Sequence, residues 1–158
     1  MKKLIIESNK YKRYKLYFVI FGIIYCFIIF IFLTYATLET FSDDSFKQMW
    51  VAVGAVIGLW SAIFLPFILY YGIKMLLMRK HSNNYKSYIG TITSIYTSEI
   101  LRTDHRTVDI KVEGIEQMLY AKVYKGSLYD EVSKNIKVEI AYNEKNKDIV
   151  VLKTLTQV

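Results

Sequence analysis

The residues best suited to proton transfer in this chain are Asp104 and His105, neighbours in the polar stretch EILRTDHRTVD. An acid that orients an imidazole is a familiar unit of general acid–base catalysis, but both groups must converge on one point. Adjacent residues on extended chain point to opposite sides, so this pair suits a solvated hairpin tip better than a catalytic centre. Cys26, the single cysteine, lies inside an apolar run where a thiolate is disfavoured, and one cysteine cannot form an intrachain disulfide. The two histidines lie far from it and leave no zinc-type ligand set. No nucleophile elbow, phosphate-binding loop or dinucleotide glycine pattern occurs. The expectation is a protein that is not an enzyme, with no catalytic residues, metal or cofactor.

A second constellation is Tyr120, Lys122 and Tyr124, on alternate positions of QMLYAKVYKG. Aromatics interleaved with bases can stack nucleobases and neutralise phosphates. Residues 81–158, however, carry eleven bases against ten acids, a net +1. Phosphate binding normally leaves a basic footprint, so nucleic acid is not the expected partner. Tyrosine is enriched at protein interfaces, and these three residues read instead as a partner-binding patch.

The elements that carry such residues follow from the apolar pattern. Residues 16–38 and 51–73 run without a charge, each long enough as a helix to cross the roughly 30 Å hydrocarbon core. A signal peptide has a shorter core and a cleavage site. The reading is a basic N-terminus (1–15), a first transmembrane helix (16–38), a short loop (39–50) and a second transmembrane helix (51–78). A tether (79–86) and a soluble β-domain (87–158) follow. Tyr11, Tyr14 and Tyr17, Phe46 and Trp50, and Tyr70 and Tyr71 stand where interfacial aromatics are expected.

Charge orients the hairpin. Residues 1–38 carry a net +5, residues 39–50 a net −2 and residues 51–80 a net +3. Cytoplasmic flanks hold the excess Lys and Arg, so both ends are expected in the cytoplasm of a multi-pass cell-membrane protein. Lys2, Lys3, Lys12, Arg13, Lys15, Arg79 and Lys80 are the candidate contacts to lipid headgroups. Within the second helix Gly54, Gly58 and Ala62 recur every four residues, with Pro66 at the next step. Small residues at that spacing let another helix approach closely. The expected occupant of this groove is the first helix, near Gly22 and Cys26, with a homo-oligomer or a partner helix as the alternative. Pro66 is expected to kink the helix, and Thr34, Thr37 and Ser61 to bond within their own helices.

Beyond the tether, strand signals arrive in series over 87–98, 107–114, 117–126, 135–142 and 148–153. Val108, Ile110 and Val112 share one face, as do Leu119, Ala121 and Val123, and Ile136, Val138, Ile140 and Tyr142. Gly90 is expected at a bulge or bend, a tight turn around 114–116, and a helical turn within SLYDEVSK. Five short antiparallel strands need closure to hide their edges, which an OB-like or SH3-like barrel provides. The OB-like form is the preferred fold.

The order IGTITSIY, VDIKVEG, MLYAKVYKG, IKVEIAYNEKNKDIVVL resembles small bacterial membrane proteins of unassigned function that pair transmembrane helices with a barrel. It is also similar, more distantly, to the OB-like domains of the NfeD group. Gly90, Ile92, Val138, Ile140, Tyr142, Asn143 and Asn146 carry the resemblance. Lys147 stands where proline is usual and Asn135 where glycine is common. The resemblance implies a membrane-tethered binding or scaffolding domain and supplies no catalytic residues. Two functions are thus expected in order: a membrane-anchored protein-docking barrel, then an immunity protein against a membrane-active toxin or bacteriocin.

Overall fold

The computed structural model describes residues 2–39, 46–97 and 105–155. Asp43, Asp44 and Asp104, and with them most of the acidic loop and the catalytic-pair question, lie outside the described residues. The chain divides into two compact units, residues 14–74 and residues 1–13 with 75–158.

In the first unit, α2 (Asn9–Glu39) and α3 (Phe46–Lys80) form an antiparallel hairpin. Partners run in opposite order along the two helices: Tyr14 meets Tyr71, Phe21 stacks on Phe67 with ring centroids 5.4 Å apart, and Tyr25 bonds Ser61. At 1.5 Å per residue the helices extend about 46 and 52 Å. Both are long and apolar enough to cross a membrane. Their outward faces expose Ile23, Phe27, Phe30, Val51 and Leu59, surface that water would penalise and hydrocarbon would not. α2 starts seven residues before the apolar run, because KYKRYK is itself a good helix-forming sequence. The α-helical run of α3 continues past Pro66 to Lys80.

The second unit holds a five-stranded antiparallel sheet. Its strands are β1 (Lys86–Tyr96), β2 (His105–Val112), β3 (Leu119–Tyr124), β4 (Lys137–Asn143) and β5 (Asp148–Leu155). Their order is β3-β2-β1-β4-β5, and the sheet curls into a half-barrel that brings its edges β3 and β5 near each other. A short helix, α4 (Ser127–Glu131), forms in SLYDEVSK as expected. Alternation places Ile92, Val108, Ile110, Val112, Leu119, Ala121, Val123, Val138, Ile140 and Val151 in one apolar core on the concave side.

The curl has local causes. β1 carries an extra residue at Thr93 against β2, and the register of β4 with β5 shifts beside Glu139. Such bulges sharpen strand twist and bend the sheet. The bulge is thus not at Gly90, as expected, but three residues further on. Gly90 pairs regularly with Val112 and Val138. Its role is space, since a Cβ there would lie 2.5 Å from Ile110 Cγ2. Gly114 makes the β2–β3 turn at φ 85°. Asn135 and Lys147 adopt φ 68° and 53°. Asparagine tolerates that region well, whereas proline is locked near −65°, so Lys147 gives the last hairpin a turn that the proline of the resembled pattern cannot make.

A six-residue helix, α1 (Lys2–Glu7), also belongs to this unit. It packs against β5 and the 3₁₀ turn at Ser82–Asn84.

Candidate interaction surfaces

Three surfaces can be built from these elements. The first is the helix pair. Ser61 lies on the face of α3 that meets α2, and its hydroxyl is 2.8 Å from that of Tyr25. It therefore bonds across the hairpin, unlike Thr34 and Thr37, which bond carbonyls of their own helix. Of the hairpin's glycines, Gly72 is the one packed tightly, since a Cβ there would come within 2.9 Å of the Phe18 ring. Gly54 and Gly58 have open space around them, Ala62 is exposed, and Gly22 likewise meets nothing. The expectation that α2 fills the Gly54/Gly58/Ala62 groove is corrected. At one hundred degrees per residue Gly54 lies at about the angle of Gly72 and within about 20° of Ser61, while Gly58 and Ala62 turn about 40° and 80° away. Aromatic contacts of Phe21 with Phe64, Phe67 and Tyr71 pack the hairpin instead.

The second surface is the N-terminal strap. Ile5 is fully buried, and Ser8 and Tyr11 nearly so. Ser8 closes α1 by donating to the Ile5 carbonyl at 2.6 Å and opens α2 by accepting from the Tyr11 amide. Lys10 then reaches β5, donating to an Asp148 carboxylate oxygen and to the Ile149 carbonyl at 3.0 Å. Tyr85 donates to the other Asp148 oxygen. Asn9 lies against Gly126, whose absent side chain leaves it room. Tyr11 is thus packed within this unit. Of the candidate headgroup contacts, Lys2, Lys3, Lys12, Lys15, Arg79 and Lys80 are exposed and Arg13 is half-buried.

Close by, Glu144 accepts from the Tyr88 hydroxyl at 2.7 Å and from Lys86 at 3.0 Å. Those hydrogen bonds, Tyr88's first, hold its carboxyl below the usual glutamate range, while Lys86 is raised by the same partner. Glu139 is lowered in the same way by Ser87 and then Lys153. Each is a stabilised surface pair and none converges on a cleft.

The third surface is the outer face of β1, β2 and β3. Tyr120 is 67% exposed and Lys122 is exposed, but Tyr124 is only 7% exposed, its ring 5.5 Å from that of His105. The expected three-residue patch therefore loses Tyr124, which packs against the neighbouring strand because register sets it opposite His105. No family model, curated protein or solved structure matches this chain. The resemblance to membrane-tethered barrels accordingly rests on the residues quoted for it.

This face holds residues that the sequence reading passed over. Asp109 lies directly across from Tyr120 in the ladder and next to Ser94 on the other side. It is 7% exposed. Its Oδ2 accepts from the Tyr96 hydroxyl at 2.9 Å, while its Oδ1 is buried with no hydrogen-bond partner among the described residues. Tyr96, Tyr120 and Met118 around it are all exposed. The available signal was an aspartate in the middle of a strand, a position where it is poorly suited unless something uses it.

Proposed function

We propose that the chain is a non-enzymatic integral membrane protein, in which the helix hairpin anchors a cytoplasmic β-barrel that docks a partner protein. The observation that carries this reading is the outer face of β1–β3. Three large side chains, Tyr96, Met118 and Tyr120, stand exposed around one buried carboxylate on a small and otherwise regular domain. Interface centres favour tyrosine and methionine, and a polar anchor at such a centre fixes orientation. The strand order, the helix between β3 and β4 and the nearness of β3 to β5 support the OB-like form of the barrel. The basic flanks and the acidic connection support cytoplasmic ends.

Two experiments test the reading. With Cys26 replaced, single cysteines at Asp43 and Lys145 are probed in intact cells with an impermeant maleimide. Labelling at position 43 and, only after lysis, at position 145 supports a cytoplasmic barrel; labelling of 145 in intact cells inverts it. In parallel, Tyr120→Ser is expected to release co-purifying partners, and their full retention would remove this face from the proposal.

A second reading keeps a specific observation in its favour. The Gly54/Gly58/Ala62 groove is open to a helix from outside the chain. An immunity protein that captures a membrane-active toxin would use it. Loss of protection on Gly58→Leu, with Tyr120→Ser protecting normally, would favour that reading over the first.

A further inference from the structure

We infer that Asp109 anchors a cation site on the outer face of the half-barrel, taking the guanidinium of an arginine from a protein partner between Tyr96 and Tyr120. The inference rests on the reading of this face as a docking surface and names the chemistry that would be recognised there. A buried carboxylate oxygen with no donor is costly, and such an atom at a surface is relieved by a ligand that brings a donor. Asp109 has one such oxygen, and its other oxygen is held by Tyr96. The carboxylate is therefore oriented before anything binds.

The surroundings select the donor. Tyr96 is diagonal to Asp109 across β1 and β2, and Tyr120 is directly opposite across β2 and β3. A planar, weakly hydrated guanidinium can lie against tyrosine faces while forming charge-assisted bonds to a carboxylate, which an ammonium does less well. Oδ1 is out of solvent's reach in the resting arrangement, so a ligand enters as the exposed Met118 and Tyr120 side chains turn aside. Methionine is the side chain best able to do this.

The flanking charges narrow the partner further. Lys111 lies two residues along β2 from Asp109, and Lys122 two residues along β3 from Tyr120, both exposed. Neither forms an ion pair among the described residues. They would repel a polycation. They suit an arginine flanked by acidic residues, whose carboxylates meet the two lysines while the guanidinium meets Asp109.

The test uses the full chain in lipid nanodiscs with ¹³C-methyl methionine, reading the Met118 methyl. The probes are the tripeptide acetyl-Glu-Arg-Glu-amide and its citrulline counterpart, which keeps the shape and loses the charge. The expected result is a saturable Met118 shift with the arginine peptide, weakened at least tenfold with citrulline and at least tenfold by Asp109→Asn. The buried Met78 methyl reports that the variant remains folded. Equal binding of both peptides, binding that Asp109→Asn leaves unchanged, or no saturable shift would each overturn the inference. A photo-reactive benzoylphenylalanine in place of Lys122, used in cells, separates the two levels of the argument. An adduct that disappears with Asp109→Asn supports the arginine site. An adduct that persists leaves the docking face standing and removes the arginine. No adduct at all removes the docking face and the inference together.

Discussion

Ile5→Ala is expected to free the N-terminal strap from the half-barrel. α1 has six residues, and an isolated helix that short is not stable in water. What holds it is the fully buried Ile5, backed by the Lys10 bonds to Asp148 and Ile149. Burying an isoleucine side chain contributes about 1.5–3 kcal/mol, and truncating a buried one to alanine costs about 2–5 kcal/mol. Taking about 2 kcal/mol, the docked-to-free ratio falls roughly thirtyfold, since 1.4 kcal/mol is a factor of ten. The assay is amide hydrogen exchange on the full chain in nanodiscs, read on peptides that cover residues 2–12. Exchange there should rise at least tenfold, or to the unprotected rate, while the β1 and β4 amides stay protected. Lys10→Met should act on the same amides to a smaller extent, because Tyr85 still satisfies one Asp148 oxygen. If Ile5→Ala changes exchange at residues 2–12 by less than twofold, the strap is not held by this contact and the reasoning fails.

Other perturbations have equally definite outcomes. Gly90→Ala places a methyl 2.5 Å from Ile110 Cγ2 and 3.1 Å from Lys111 O, so it should destabilise the half-barrel by about 1–3 kcal/mol in a thermal or denaturant melt. In the hairpin, Gly72→Leu should lower disulfide cross-linking between Tyr25→Cys and Ser61→Cys (with Cys26 replaced), whereas Gly58→Leu, on the open face, should leave it unchanged. Acid should weaken the half-barrel. Glu139 and Glu144 have lowered folded values, so their contribution is complete above the ordinary glutamate range near 4.5 and is lost as pH falls through those lowered values. Glu144→Gln should flatten that acid limb of a pH series of melts. Unchanged limbs would mean that the Tyr88 and Lys86 bonds add nothing.

Much of the fold was legible in the sequence for a simple reason. Charge-free runs of more than twenty residues and period-two alternation are both written in side-chain polarity, which one strand or one helix displays by itself. Val108, Ile110 and Val112 occupy the core because alternation left them no other side. What was not legible depends on which element lies opposite. Gly72 and Gly58 look alike in sequence and lie within about 40° of each other around the helix, yet the Phe18 ring packs against Gly72 while nothing lies within reach of Gly58. Tyr124 and Tyr120 share a strand face, yet His105 lies opposite one and Asp109 opposite the other. Asp109 itself gave little signal, since its meaning comes from two neighbouring strands. The bulge at Thr93, not Gly90, likewise reflects a register set by β2.

The strap bears directly on topology. Lys10 and Asp148 are 138 residues apart in sequence, and both apolar helices lie between them. Their contact requires that the N-terminus and the half-barrel occupy the same compartment. An even number of membrane crossings meets that requirement, and a single crossing would pull the pair apart. If the apolar helices cross a membrane, as proposed, a hairpin that crosses twice keeps the basic ends, the buried Ile5 and the Lys10–Asp148 pair mutually consistent. The same contact makes the strap a reporter for topology. A variant in which α3 no longer inserts would place α1 and β5 on opposite sides, and protection at residues 2–12 would vanish even with Ile5 and Lys10 intact. Exchange that stays protected in such a variant would show that α2 does not cross either, which would take the membrane anchor out of the proposed function.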